Sequence, residues 1–175
     1  MSYLPSSPIL NSLAGILTKY PRRGVLLFKL LADIDGSCSP LGKSARELIL
    51  SYASGLNHCD FYINTRKAKQ GEGALDVDEG LLDALHTDID SANVDEKLKP
   101  VLRFVKKLTL SPSDITAEDA QQIFAAGWDE PAFLESVCLC AIANCMDRFV
   151  MGIGADATEL NFTGRLGIHP HLNSC

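Results

Sequence analysis

Two side chains that can do chemistry lie twelve positions apart near the middle of the chain: the carboxylate of Glu47 and the thiol of Cys59. A thiolate at the start of a helix is stabilised by the unpaired backbone N–H groups that point toward it. A carboxylate folded back toward the sulfur can accept or return a proton there. This pairing is the candidate functional centre of the chain.

The residues around this pair predict two helices that meet at the cysteine. Apolar residues recur at helical spacing at Leu48, Ile49, Tyr52, Ala53 and Leu56, which predicts a helix over residues 44–55. Gly55 is expected to end this helix, and Asn57 to cap the next one with Asp60 at the third position. Cys59 then falls in the first turn of the second helix, and the intervening turn folds the first helix back toward it.

The remaining periodic segments also follow the 3.6-residue repeat of a helix. They cover residues 9–20, 24–34, 75–86, 94–108, 117–126 and 130–153. Pro100 either kinks its segment or marks a fresh start, and Thr116 caps the segment that Gly127 closes. No segment alternates like a strand, so the fold class is all-α. The 24–34 helix is apolar almost all round, so we expect it to be buried in the domain or in a subunit interface.

Composition limits the possible functions. With 175 residues and 46% hydrophobic content, the chain suits one domain with an N-terminal arm and helices at 1–43, a core at 44–154 and a tail at 155–175. Its net charge is −6, and it has no basic cluster beyond Arg22–Arg23 and Lys106–Lys107, which excludes binding to nucleic acid or to an anionic membrane. Residues 1–8 lack the charged start of a secretory signal, so we expect a cytoplasmic protein.

The six cysteines are expected to be reduced thiols in such a protein. Cys138, Cys140 and Cys145 lie on the last predicted helix, where we expect them to be packed in the core. Cys138 and Cys145 are seven residues apart and share a face, whereas Cys140 points elsewhere, which is poor geometry for a metal site. Cys38 and Cys175 lie in a linker and at the last residue, and we expect no role for either.

A second possible metal motif lies in the C-terminal tail, where His169 and His171 flank a proline. No carboxylate or cysteine with ligand spacing accompanies these histidines. The tail is therefore expected to be an exposed segment, and the sequence implies neither a metal ion nor a cofactor.

Residues 44–154 resemble the alkylhydroperoxidase D-like proteins, a family grouped with carboxymuconolactone decarboxylases and peroxidase-related proteins. The family signature is a Glu, eleven residues, then Cys-x-x-Cys-x-x-x-His. Glu47 and Cys59 match it, but Tyr62 stands in place of the second cysteine and Arg66 in place of the histidine. The resemblance also includes Ala45-Arg46, Asn57-His58, Ser111-Pro112, residues 115–119, residues 125–128, and Asn144 with Arg148.

The resemblance implies a single-domain all-α fold and thiol chemistry with hydroperoxides. In the family two cysteines cycle between dithiol and disulfide, the second attacks the peroxide, and the Glu and His relay its proton. That cycle is impossible within this motif because Tyr62 cannot form a disulfide. Arg66 shares a helix face with Cys59 and either stabilises its thiolate or forms an ion pair with Glu47. His58 is a further proton carrier, or else a capping or surface residue.

Three functions from different classes follow. The first is an antioxidant thiol oxidoreductase that acts through Cys59 alone and is reduced by an external thiol. The second is a repurposed protein that binds an anionic small molecule or does decarboxylase- or isomerase-like chemistry under Glu47, Tyr62 and Arg66. The third is a catalytically silent oligomer. The family's habit of building its pockets near subunit contacts leads us to expect a homo-oligomer.

Overall fold

Seven α-helices make up most of the part of the chain that the computed structural model describes, which is residues 3–4, 13–36, 39–60 and 79–155. No strand occurs among these residues, which confirms the all-α class. A 3₁₀ turn, Pro112–Asp114, separates two of the helices. In chain order the helices are α1 Leu13–Lys19, α2 Pro21–Gly36, α3 Lys43–Leu56, α4 Glu79–Thr87, α5 Lys99–Leu110, α6 Ala117–Ala125 and α7 Glu130–Ile153.

The chain forms two compact units, of which Ser39–Asp147 holds the candidate site. In this unit α3 packs against α4 and α5, and α5 also contacts α6. The other unit is formed by Met1–Cys38 with Arg148–Cys175, and in it α1 packs against α2. The single-domain division expected from the sequence stays a prediction.

The core of the larger unit lies between α3, α5 and α7, each of which has one apolar face. Ile49, Tyr52, Val101 and Leu139 are fully buried there. Burying a large apolar side chain of this kind stabilises the folded state by about 1.5 to 3 kcal/mol relative to leaving it in water. Burial of this shared core is therefore the main contribution that holds these helices together.

Local signals explain most helix boundaries. Pro21 begins α2 at a position where a missing N–H costs nothing, so the helix starts earlier than the expected residue 24. Pro100 likewise stands at the start of α5, which confirms the fresh start over the kink. Thr116 caps α6, as predicted, and the structure shows that it does so through a capping box with Asp119. The Thr116 N–H and hydroxyl donate to Asp119 Oδ2 at 2.7 and 2.8 Å.

Helix α2 differs from the expectation that it would be buried within the domain. Val25, Leu26 and Leu30 are about half or more exposed. A helix that is apolar on several faces can cover only one of them by packing against a single neighbour. The alternative, that α2 lies in a subunit interface, stays a prediction.

Helix α7 also differs from expectation, because it buries one face and exposes the other. Cys140 is buried as predicted, but Cys138 and Cys145 are exposed, so core packing was wrong for those two. Their shared face points away from the core. Helix α7 is long and apolar enough to cross a membrane by length and composition, with a mean hydropathy of 1.5 over 18 residues, of which 39% are buried. Core helices of soluble proteins meet the same criterion, and the cytoplasmic location stays a prediction.

Candidate functional site

The end of α3 forms a tight, fully hydrogen-bonded turn that leads directly to Cys59. The helix continues to Leu56, with Asn57 as its C-cap. The His58 N–H donates to Gly55 O and the Cys59 N–H to Ser54 O, both at 3.0 Å. These two bonds are those of a Schellman motif. Asn57 therefore closes α3 instead of capping the next helix, which corrects the sequence-based assignment.

Gly55 lies inside α3 and does not end the helix as expected. Its lack of a side chain makes room for the ring of His86. A Cβ at Gly55 would lie 2.4 Å from His86 Cε1 and 2.6 Å from Nε2. The His86 ring also stacks on Tyr52, with ring centroids 5.1 Å apart. The Tyr52 hydroxyl donates to Leu85 O at 3.3 Å, and burial raises the pKa of Tyr52 to about 12. Gly55 thus sets how closely α4 approaches α3.

His58 carries the strain of this turn. Its φ is +53°, in the left-handed region that the motif requires and that glycine adopts at little cost. This conformation costs a residue with a Cβ roughly 1 kcal/mol of conformational free energy. The side chain of His58 is exposed, next to the buried Cys59. Strained backbone of this kind is found often at functional sites.

Cys59 itself is fully buried. It directly precedes Asp60, which is helical. The residues that follow Asp60 lie outside the described part of the chain, so the stabilisation of a thiolate at the start of a helix stays a prediction. Tyr62 and Arg66 lie outside the described residues, and their approach to the sulfur stays a prediction.

Glu47 lies in the second turn of α3 and is partly buried. The rise of an α-helix separates it by about 10 Å along the axis from Ser54, whose carbonyl receives the Cys59 N–H. Helical side chains lean toward the N-terminus, so the Glu47 carboxylate leans away from the turn. Proton exchange between Glu47 and Cys59 therefore needs a group that bridges them, and the direct pairing stays a prediction.

A buried carboxylate that sequence reasoning missed holds the end of α3. Asp147 on α7 is only 2% exposed. It accepts hydrogen bonds from Ser54 Oγ at 2.9 Å and from Asn57 Nδ2 at 2.8 Å. The sequence did hold a signal for this role, because Asp147 interrupts the apolar pattern of the last helix. A carboxylate buried there is stable only when it accepts hydrogen bonds.

The network extends to a second buried thiol. Asn57 Nδ2 also donates to Asn144 Oδ1 at 3.1 Å. Asn144 Nδ2 in turn donates to Thr109 Oγ1 at 3.1 Å, and that hydroxyl lies 3.3 Å from Cys140 Sγ. A continuous polar path therefore joins α3, α7 and α5 through the core, from the turn before Cys59 to Cys140.

An ion pair marks the other end of α3. Arg46 Nε lies 3.2 Å from Glu135 Oε1 on α7, and both side chains are mostly buried. Within the described part of the chain, neither of these two atoms makes a hydrogen bond of good geometry. The pair neutralises two charges next to Glu47 and joins the start of α3 to α7.

Among the described residues, no group of three or more His, Cys, Asp or Glu side chains is arranged to hold a metal ion. His169 and His171 lie outside that part of the chain. The site as described is thus a buried thiol, an exposed histidine and a partly buried carboxylate on one helix and its terminal turn.

Two solved structures share this fold. One is an uncharacterized peroxidase-related protein from Silicibacter sp. TM1040, with 19% identity and a TM-score of 0.67 over 81% of this chain and 75% of that one. Another is an uncharacterized peroxidase-related protein from Ralstonia eutropha JMP134, described as an alkylhydroperoxidase AhpD core. Its identity is 16% and its TM-score 0.65, over 81% of this chain and 73% of that one.

No protein-family model matches the sequence, and no curated protein matches it. The likeness to the two structures is therefore one of fold. The chain has the all-α alkylhydroperoxidase D-like fold, and the resemblance seen in the sequence is confirmed at that level.

Proposed function

We propose that the protein reduces hydroperoxides through a single cysteine, Cys59, and is itself reduced by an external thiol. The observation that carries this proposal is the position of Cys59, between the closed turn of α3 and the helical Asp60, in a chain with the alkylhydroperoxidase D-like fold. A thiol at the start of a helix is favoured as thiolate, which is the nucleophilic form.

The reaction has two halves. The Cys59 thiolate attacks one oxygen of the hydroperoxide, the O–O bond breaks, and the departing alkoxide takes a proton to become an alcohol. Cys59 is then a sulfenic acid. One external thiol displaces water from it to form a mixed disulfide, and a second external thiol releases Cys59 as the disulfide of the reductant. The sum is one hydroperoxide and two thiols giving one alcohol, one water and one disulfide.

The other candidate residues exchange protons or stabilise charge. His58 is exposed beside the buried thiol, so we assign to it the exchange of protons with solvent. Tyr62 and Arg66 follow Cys59 by three and seven residues, and we assign to the guanidinium the stabilisation of the thiolate. We assign to Glu47 an ion pair with Arg66, because a guanidinium stays protonated and cannot pass a proton from the carboxylate to the sulfur.

Access to Cys59 requires the protein around it to open locally, because the thiol is fully buried. The adjoining residue His58 is exposed, so Cys59 lies next to the surface along the chain. A small hydroperoxide enters through a smaller opening than a large one. We therefore expect hydrogen peroxide to oxidise Cys59 faster than cumene hydroperoxide does.

A second candidate is a catalytically silent protein, and the complete burial of Cys59 favours it. A buried thiol with no second cysteine in the motif can serve as a small apolar core residue. The two candidates differ in one measurable property, which is whether Cys59 is oxidised by peroxide while the protein stays folded.

The test treats the reduced protein with stoichiometric hydrogen peroxide and traps sulfenic acid with dimedone, followed by peptide mapping. We expect the label on Cys59 and its loss in Cys59→Ser. Cys140→Ser is the matched control, since Cys140 is equally buried, and it should retain both labelling and thiol-dependent peroxide consumption. Labelling confined to the exposed Cys138 and Cys145 would contradict the proposal and support the silent protein.

A further inference from the structure

A surface cleft of about 380 Å³ lies between the end of α4 and the second half of α5. Its walls are formed by residues 87–90 and by side chains of α5 from Arg103 onward, up to Ser111. Neither Glu47 nor Cys59 is among the described residues that line it, so the cleft is separate from the candidate site. Its volume falls within the range of about 300 to 1,000 Å³ that is usual for small-ligand sites.

The lining of the cleft carries more positive than negative charge. Three cations of α5 line it, namely Arg103, Lys106 and Lys107, against the two carboxylates of Asp88 and Asp90. The lysines follow Arg103 by three and four residues, so the three side chains leave the helix on the same side. Like charges at this spacing repel each other, and an anion held between them relieves that repulsion.

Two of these cations already have a carboxylate partner, and Lys106 does not. Arg103 Nη2 forms an ion pair with Asp90 Oδ1. Lys107 Nζ lies 2.7 Å from Asp119 Oδ2. Lys106 is partly buried, and within the described part of the chain no carboxylate lies at ion-pair distance from it. The pair with Asp90 also uses only Nη2 of Arg103, which leaves the other donors of the guanidinium without an acceptor among these residues.

The remaining carboxylate of the lining, Asp88, is engaged by its own turn. Asp88 Oδ1 accepts a hydrogen bond from the Asp90 N–H at 3.0 Å. This bond, and then one from the Ser91 side chain, lowers the pKa of Asp88 below its ordinary value. The carboxylate is therefore ionised, but its charge is offset by donors of the turn. Lys106 is left as the charge that the described part of the cleft does not balance.

A hydroxyl and an apolar side chain complete the cleft. Ser111 is the C-cap of α5, and its hydroxyl makes no hydrogen bond to any described residue. Leu110 is 54% exposed and follows Lys106 by four residues, on the same side of the helix. The cleft therefore offers charged and neutral donors beside an apolar surface.

We propose that this cleft binds a small organic phosphate. A phosphate monoester has three acceptor oxygens, and the lining supplies a guanidinium edge from Arg103, the ammonium group of Lys106 and the hydroxyl of Ser111. The organic part of the ligand lies against Leu110. The cleft has room for it, because 380 Å³ is the volume of about twelve water molecules, at ~30 Å³ each. The proposal is independent of the chemistry at Cys59.

Lysines near the end of a helix also offset the negative end of its dipole, and that role needs no ligand. Saturable binding distinguishes the two roles. The test titrates the full chain with phenyl phosphate in a calorimeter, and we expect one site per chain with a Kd of about 1 mM or tighter.

Lys106→Gln should weaken the binding of phenyl phosphate about tenfold, because it removes a charge-assisted hydrogen bond. Lys43→Gln is the matched control, since it removes the same charge at an exposed position at the start of α3. It should leave the affinity unchanged. Leu110→Ala should weaken the binding of phenyl phosphate but not that of inorganic phosphate, which has no organic part.

The absence of saturable binding would overturn the proposal and leave the lysines with their role at the helix end. Equal losses in Lys106→Gln and Lys43→Gln would also overturn it, because the attraction would then depend on net charge and not on the cleft. Benzoate, a carboxylate with the same ring, should bind more weakly than phenyl phosphate. Tighter binding of benzoate would overturn the assignment of a phosphate ligand.

Discussion

The side-chain amide of Asn57 donates hydrogen bonds to Asp147 at 2.8 Å and to Asn144 at 3.1 Å, which ties the end of α3 to α7. Both helices belong to the same core, so the contact fixes the turn that leads to Cys59. A buried carboxylate costs several kcal/mol unless donors surround it. Ser54 supplies a further donor, and the position of Cys59 therefore depends on a residue 88 positions further along the chain.

Asp147→Ala should lower the free energy of unfolding by about 2 to 4 kcal/mol, because it removes the acceptor of the buried Ser54 hydroxyl and one of the two acceptors of the Asn57 amide. The measurement is urea unfolding, read as a shift in midpoint at constant slope. Asp83→Ala, at an exposed site on α4, is the control and should change the free energy by less than about 0.5 kcal/mol. Equal effects of the two substitutions would mean that the hydrogen-bond network around Asp147 contributes little to the free energy of unfolding.

His58→Gly should stabilise the protein by about 0.5 to 1 kcal/mol, since glycine adopts the left-handed conformation without strain. His58→Ala keeps the strain and removes the imidazole, so it serves as the control for side-chain effects. Thermal and urea unfolding both report the difference. If glycine and alanine give the same stability, the positive φ of His58 stores no strain.

Gly55→Ala should destabilise the protein by about 1 to 3 kcal/mol, because the new methyl group overlaps the His86 ring. His86→Ala removes that ring and opens a space beside Tyr52. In the double variant the methyl group enters the space, so the two losses should not add. A double-mutant cycle measures the coupling, and strict additivity would show that the two residues do not oppose each other.

Acid should weaken the ion pair between Lys107 on α5 and Asp119 on α6. Hydrogen bonds from Lys107, and then from Thr116, lower the pKa of Asp119 from its ordinary 3.8 to about 2. The folded protein therefore holds this carboxylate ionised, and its contribution is fully present above pH ~4 and lost as the pH falls toward 2. Asp119→Asn should be less stable than the parent at pH 6, and the difference should close by pH 2. A constant difference over this range would show that ionisation of Asp119 is not linked to folding.

Tyr62→Cys with Arg66→His should increase hydroperoxide reduction with a dithiol reductant. The pair supplies a second thiol three residues after Cys59 in the sequence, and a group that exchanges protons near neutral pH. Each single substitution should gain much less, because both parts act on one step. Adding Glu47→Gln should remove most of the gain, and the measurement is the rate of peroxide consumption. A folded but inert double variant would support a silent or repurposed site.

The sequence predicted those parts of the fold that depend on local signals. Glu130–Ile153 and the cap at Thr116 were predicted because an N-cap, a proline and a long apolar pattern act within a few residues. Gly55 was misread because a glycine that stops a helix and one that admits a neighbouring ring look alike in sequence. Only the contact with His86 distinguishes them, and that contact comes from a distant helix.

The candidate site was predicted less completely for the same reason. Cys59 and Glu47 were proposed from their spacing, and their role stays a prediction, whereas Asp147 acts through contacts that only the folded chain brings together. The exposure of Cys138 and Cys145 was also missed, since cysteine is usually buried and the residues of α7 around these two are mostly apolar. Whether a side chain faces another helix or solvent can be decided only once the tertiary arrangement of the helices is known.

The closed turn at the end of α3 limits how the protein can stabilise a negative charge. The backbone N–H groups of His58 and Cys59 are already taken by the Gly55 and Ser54 carbonyls. Neither amide is available to an anion at the sulfur, such as a thiolate or a leaving alkoxide. Any oxyanion hole at Cys59 must therefore be built from donors other than these two, and breaking either bond would loosen the cysteine from α3.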